Sequence, residues 1–292
     1  LRGSRSYFFL VLLVILAAMV WLLQEVERRH HHFRPKLTMP QGPGKEEKAS
    51  PPPPSLPAEG LQESRNPNPS PKSPQIVIII DDLGYNEQNY RSFLEIGYPL
   101  TFAILPALPY SEKIAKEARA KNREVLLHLP LEPQDYPAKN PGRGVLLDSM
   151  SEEELRKVLT QDLESVPGAA GVNNHMGSRL TGETRPMITL LSELKRRNLY
   201  FVDSLTTHGT VVTPLARKLG VKVGARDVFL DNYRDKAYIE GQLNSLVKVA
   251  RNKGEAIGVG HPYPITASVL KDRLPQFEKE GIRVVSASRI VR

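Results

Sequence analysis

The chain has 292 residues, 25 Pro, no Cys, and 40 Lys+Arg against 32 Asp+Glu, a formal net charge of +8. Without a thiol it is not a disulfide-stapled scaffold, a Cys-ligated zinc module, an iron–sulfur protein or a thiol enzyme. Residues 1–74 and the remaining 218 residues each carry +4. Nucleic-acid binding concentrates positive charge on one face or segment, so no nucleic-acid partner is expected.

Tyr7–Leu23 is an uninterrupted 17-residue apolar run preceded by Arg2 and Arg5. That reaches the lower end of the roughly 17–25 residues a membrane-spanning helix needs. A cleaved signal peptide ends its shorter apolar region at a small-x-small site, whereas the small pair Ala17-Ala18 lies mid-run and Gln24-Glu25-Val26-Glu27 follows. Residues 1–6 therefore read as a short basic tail and 7–23 as a single-pass transmembrane signal anchor. Arg28, Arg29, Arg34 and Lys36 flank its far end, so charge alone does not set its orientation. Residues 24–74 hold 12 of the 25 prolines and almost no bulky apolar side chain after Met39. Such a segment cannot bury enough surface to offset its ordering entropy and reads as a disordered tether. His30-His31-His32 within it reads as a solvated spacer.

From residue 75 to 292 short apolar runs alternate with amphipathic segments. The runs are Ile76–Ile80, Leu100–Leu105, Glu124–Leu129, Ala169–Asn174, Leu199–Asp203, Val221–Gly224, Glu255–Gly260 and Ile282–Ala287. Runs of this length fit strands of a parallel sheet buried on both faces. Ser151-Glu152-Glu153-Glu154 is a capping box opening a helix. Thr213-Pro214 predicts an N-cap followed by Pro at the first helical position, and Gly220 closes that helix. Lys113–Lys121, Pro186–Arg197, Lys236–Lys253 and Ala267–Lys279 supply further helices. Seven or eight βα units indicate a (β/α) barrel or a doubly wound sheet. No Gly-x-Gly-x-x-Gly follows the first strand, and the barrel is preferred.

Chemistry in such folds is built at the carboxyl ends of strands. Asp81-Asp82 follow the first run, His128 lies in the third with Glu132 just beyond it, and Asn173-Asn174 end the fourth with His175 next. Asp203 ends the fifth, and His261 follows Gly260. A carboxylate with two or three imidazoles and no thiolate suits Zn, Co, Ni, Mn or Fe as a divalent ion with a position left for water. A second carboxylate can accept a proton from that water, and a further His can protonate a leaving group. The set describes a metal-dependent hydrolase of an amide or ester.

Five ordered segments carry a family resemblance: Ile80–Gly84, His128–Pro133, Gly171–Ser178, Phe201–Ser204 and Gly260–Pro262. They resemble the divergent polysaccharide deacetylases, distant relatives of the NodB-homology enzymes of carbohydrate esterase family 4. The resemblance implies a distorted (β/α)7 barrel over 75–292. It implies Asp81 as general base, Asp82 and His128 as metal ligands and His261 as general acid. Where that superfamily has a second ligand His, this chain has Glu132; either His175 or Glu132 completes the set, and His175 preserves the ligand type. The Arg-containing third motif is replaced by Asn173-Asn174-His175. Asn173, Asn174, Asp203 and Glu132 are expected to support the site or touch substrate. The implied activity is removal of N-acetyl groups from an envelope polysaccharide such as peptidoglycan, with the domain on the extracytoplasmic side of the cytoplasmic membrane. The altered second motif favours a different class of reading, a non-catalytic anchored saccharide-binding module.

Overall fold

The computed structural model describes residues 73–292. The expected anchor at Tyr7–Leu23 and nearly all of the expected tether lie outside the described residues. Among the described residues, no helix is long and apolar enough to cross a membrane.

Strands and helices alternate as β1 (Gln75–Leu83), α1 (Gln88–Leu94), β2 (Thr101–Ile104), α2 (Ser111–Ala120), β3 (Glu124–Leu131), α3 (Glu152–Ser165) and β4 (Gly171–Met176). There follow α4 (Thr184–Arg196), β5 (Tyr200–Asp203), α5 (Val212–Leu219), β6 (Val223–Ala225), β7 (Val228–Phe229), α6 (Lys236–Lys253), β8 (Glu255–Gly260), α7 (Pro264–Lys279) and β9 (Arg283–Val284). The capping box opens α3: Ser151 Oγ accepts from the Glu154 N–H, and the Glu154 carboxylate accepts from the Ser151 N–H. Gly220 ends α5 in the left-handed conformation, with φ 69°. That helix starts two residues earlier than Thr213-Pro214 suggests, with Val211 at the N-cap. Pro214 then sits third in the helix, where its missing N–H has no intrahelical acceptor to lose.

All the ladders are parallel, in the order β6-β5-β4-β3-β2-β1-β8-β7, with β9 beside the first residues of β1. The order is circular, interrupted between β6 and β7. Those two strands are consecutive in the chain, joined by Arg226 and Asp227. The Arg226 N–H donates to the Asp203 carbonyl at the end of β5, and the Asp227 N–H donates to the Ile257 carbonyl on β8. The expected distorted barrel is thus realised as a curled half-barrel, open at a seam between two parallel strands that a two-residue link cannot lay side by side.

Period-two alternation divides the core into two layers. Ile76, Ile78, Ile80, Leu127, Val172 and Phe201 belong to the layer under the helices. Val77, Ile79, Leu126, Val202, Ile257 and Val259 form the layer inside the curl. Continued towards the carboxyl ends, the inner phase reaches Asp81, His128, Asn173, His175 and His261. The fold therefore aims polar residues inward at one end of an otherwise apolar interior.

Asp162 on α3 is buried away from that end, packed against Gly144, and its Oδ2 has no hydrogen-bond partner. Burial pushes its carboxyl up to about 8. Between about pH 4 and pH 8 the unfolded chain releases this proton while the folded chain keeps it, so stability falls as pH rises through that window. Asp162→Asn is expected to raise the melting temperature at pH 8 and to leave it nearly unchanged at pH 4, as thermal denaturation at the two pH values would reveal.

Candidate active site

Asp82 would face the helices if β1 ran straight, because it continues the period-two phase of Ile76, Ile78 and Ile80. A register shift lies between Ile80 and Leu83, and Asp82 has φ 56°. Such a bulge re-aims a side chain, and Asp82 reaches the interior beside Asp81. Its Oδ1 lies 3.2 Å from His128 Nε2 and 3.0 Å from His175 Nδ1, and those two nitrogens are 3.1 Å apart. The register of β3 and β4 sets His128 opposite Asn173 and Pro130 opposite His175, which brings the two imidazoles together.

A second set of contacts holds this triangle. His128 Nδ1 donates to Asn173 Oδ1 at 3.0 Å, and Asn173 Nδ2 donates to Asp81 Oδ1 at 2.8 Å. Asn173 is fully buried, so its amide links the first Asp to the first His and leaves His128 Nε2 directed at Asp82. Opposite, His261 Nε2 lies 3.6 Å from Asp82 Oδ2, while His261 Nδ1 lies 2.9 Å from Asp231 Oδ1. The buried Asp231 also accepts from the His261 N–H at 2.7 Å and from the Thr266 hydroxyl at 2.8 Å. Asp231 is a site residue that strand-end reading does not find. It follows the two-residue β7, which leaves no apolar run to mark it.

The electrostatics are those of a cation site. Burial alone would raise Asp82, but the two imidazoles hold its carboxyl well below the usual carboxylate range. Burial alone would lower His128; Asp81 and Asp82 instead push it up to about 9. Burial raises Asp81, against the opposing pull of His128 and His261. Burial likewise opposes the charged form of His261, yet Asp231 and Asp82 raise it. Asp82 Oδ1 is buried without a well-aligned hydrogen bond, although two imidazole nitrogens crowd it. Lone pairs converging on a common point produce this arrangement. Zinc bonds of about 2.0–2.2 Å define a tetrahedron with edges of about 3.3–3.6 Å, slightly longer than the 3.0–3.2 Å sides of the triangle. The donor set of Asp82, His128 and His175 fits a divalent metal ion.

The other expected residues lie around the triangle. Glu132 turns away: its Oε2 accepts from the Asp148 N–H at 2.6 Å, and its Oε1 faces Arg179 at 3.5 Å. Asn174 and Asp203 fall on the outer strand phase. Asn174 Oδ1 accepts from the Ser204 N–H, and Nδ2 donates to the Met176 carbonyl. Asp203 caps its own loop, accepting from the Leu205 N–H and the Thr210 hydroxyl. Over the triangle opens a cavity of about 440 Å³, and on its His261 side lies a smaller pocket walled by Tyr85 and Tyr263.

A family model described as "Divergent polysaccharide deacetylase" matches residues 78–291. The Escherichia coli (strain K12) protein YibQ is 36% identical over 218 residues, covering 74% of this chain and 67% of that one. An uncharacterised protein of Haemophilus influenzae is 32% identical over 218 residues, covering 75% and 77% of the two chains. The crystal structure of ATU2773 from Agrobacterium tumefaciens C58 superposes with a TM-score of 0.73 at 24% identity, over 77% of this chain and 92% of that one. That likeness is one of fold. With the family model spanning the whole curled sheet and its strand-end residues, the chain belongs to the divergent polysaccharide deacetylases.

Proposed function

We propose that the protein removes acyl groups, N-acetyl foremost, from the amino sugars of an envelope polysaccharide such as peptidoglycan. The observation that carries this reading is the Asp82–His128–His175 triangle flanked on one side by Asp81 and on the other by His261. A divalent metal held by those three side chains, zinc foremost, supplies Lewis acidity that polarises the acyl carbonyl and lowers the pKa of a water. Asp81, whose carboxyl burial raises above the usual carboxylate range, accepts the proton of the attacking water. Asn173 fixes the Asp81 carboxylate and the His128 ring with one amide. His261, oriented by Asp231, gives a proton to the departing nitrogen as the C–N bond breaks, which releases acetate and a free amine. The walls of Tyr85 and Tyr263 suit the apolar faces of a sugar ring.

In this reading the run Tyr7–Leu23 anchors the domain at the outer face of the cytoplasmic membrane, and residues 24–74 let it reach an insoluble glycan.

The test is acetate release from N-acetylglucosamine oligomers and from peptidoglycan by the metal-reconstituted chain. Sustained release that a chelator abolishes is the expected result. Saccharide binding without release would transfer the reading to the non-catalytic module that the departure at Glu132 favours. Asp231→Asn removes the charge that orients His261 and turns one of the two accepting oxygens into a donor. It is expected to lower kcat roughly 10²-fold or more, with little change in metal content, as steady-state kinetics and metal analysis would show.

A further inference from the structure

The polar groups on the wall of the cavity facing the triangle divide into spent and unspent. Asn174 is fully engaged with Ser204 and Met176, and the Thr206 hydroxyl donates to the Met176 carbonyl. Two groups differ. Ser204 is 5% exposed, and its Oγ has no hydrogen-bond partner. Arg226, at the seam between β6 and β7, donates through Nε to the Ser204 carbonyl at 2.7 Å and through Nη2 to the Leu205 carbonyl at 3.2 Å. Its guanidinium lies over the Phe229 ring, with Cζ 5.1 Å from the centroid. Arg226 forms no ion pair among the described residues, and its Nη1 donates no hydrogen bond. Both residues line the same cavity as Asp81 and Asp82.

A guanidinium braced by two carbonyls and a ring has lost most of its rotamer freedom. Its remaining donors are set for a planar, anionic acceptor, and binding one costs little further ordering. Charge balance is not a sufficient account of Arg226, because its bonded fork is turned towards two backbone carbonyls and not towards Asp81 or Asp203.

We infer that Arg226 and Ser204 form an anion subsite beside the reaction centre, which takes a carboxylate carried by the amino sugar itself. The inference rests on the deacylase reading for placing a sugar in this cavity. Arg226 and Ser204 lie on the cavity wall facing the triangle, so a carboxylate bound there orients the sugar as well as selecting it. N-acetylmuramic acid, with its lactyl ether, is an amino sugar of this class.

Calorimetric titration of the full chain with N-acetylglucosaminyl-N-acetylmuramic acid and with the methyl ester of the same disaccharide tests the subsite. The wild type is expected to bind the acid at least 10-fold more tightly than the ester. Arg226→Gln erases that preference by weakening the acid alone. Arg226→Lys keeps part of it, since the charge stays and the fork is lost. Ser204→Ala, which leaves the carbonyl that braces Arg226 in place, weakens the acid a few-fold. Equal wild-type affinity for acid and ester, no binding of either, or an Arg226→Gln loss shared equally by both overturns the inference. Tighter binding of the acid without acetate release keeps the subsite and refutes deacylation. Acetate release from both forms with equal affinity does the reverse.

Discussion

Asp81→Asn is expected to lower acetate release by roughly 10²–10⁴-fold, the range a positioned general base contributes, while the chain stays folded and keeps its metal affinity. The substitution preserves shape, and the new amide oxygen can still accept from Asn173 Nδ2, which now lies 2.8 Å from Asp81 Oδ1. What is lost is the proton acceptor. Asp81 is 4% exposed and its carboxyl is raised by burial, so removing the charge relieves a desolvation cost that offsets burying the new amide N–H. The neighbouring Asp82→Asn behaves differently, because that carboxylate is the anionic corner of the triangle. Single-turnover acetate release and metal content, measured side by side, separate the two. Equal activity of Asp81→Asn and wild type would remove the proposed base.

His175→Ala and Glu132→Ala are expected to fail in opposite ways. His175 supplies one corner of the triangle through Nδ1 and is partly exposed, so its loss lowers affinity for a divalent ion by several orders of magnitude with little effect on folding. Glu132 is 7% exposed and ties β3 to the Asp148 loop and to Arg179. Its truncation leaves the Asp148 N–H without its acceptor, a loss of about 1–3 kcal/mol, and leaves the triangle intact. Equilibrium dialysis against zinc and urea denaturation give the two readouts. Metal lost from Glu132→Ala and retained in His175→Ala would reverse the assignment.

Much of this arrangement is legible in the amino-acid sequence because it follows from periodicity. The apolar runs mark strands buried on both faces, and the polar residues ending them reach the interior in the phase set by Val77, Ile79, Leu126 and Val259. The same phase explains why Asn174 and Asp203, although at strand ends, brace loops and do not join the triangle. Three features escape such reading. Asp82 is out of phase and enters the site only through a bulge with positive φ, which no residue type announces. Asp231 and Arg226 flank β7, a strand of two residues, too short to display alternation. Glu132 stands in register with the ligand spacing of relatives, but backbone bonds from Arg179 and Leu180 to its own carbonyl fix it in the loop scaffold. A backbone bulge for Asp82, and tertiary contacts for the others, decide where the side chain goes.

The proposed deacylation requires one divalent ion held by Asp82, His128 and His175. Native mass spectrometry of the zinc-reconstituted chain, with His128→Ala as its partner measurement, addresses it most directly. One zinc per wild-type chain and none in the variant is the predicted result; a wild-type chain that takes up no divalent ion, or a variant that binds it equally well, would contradict the account.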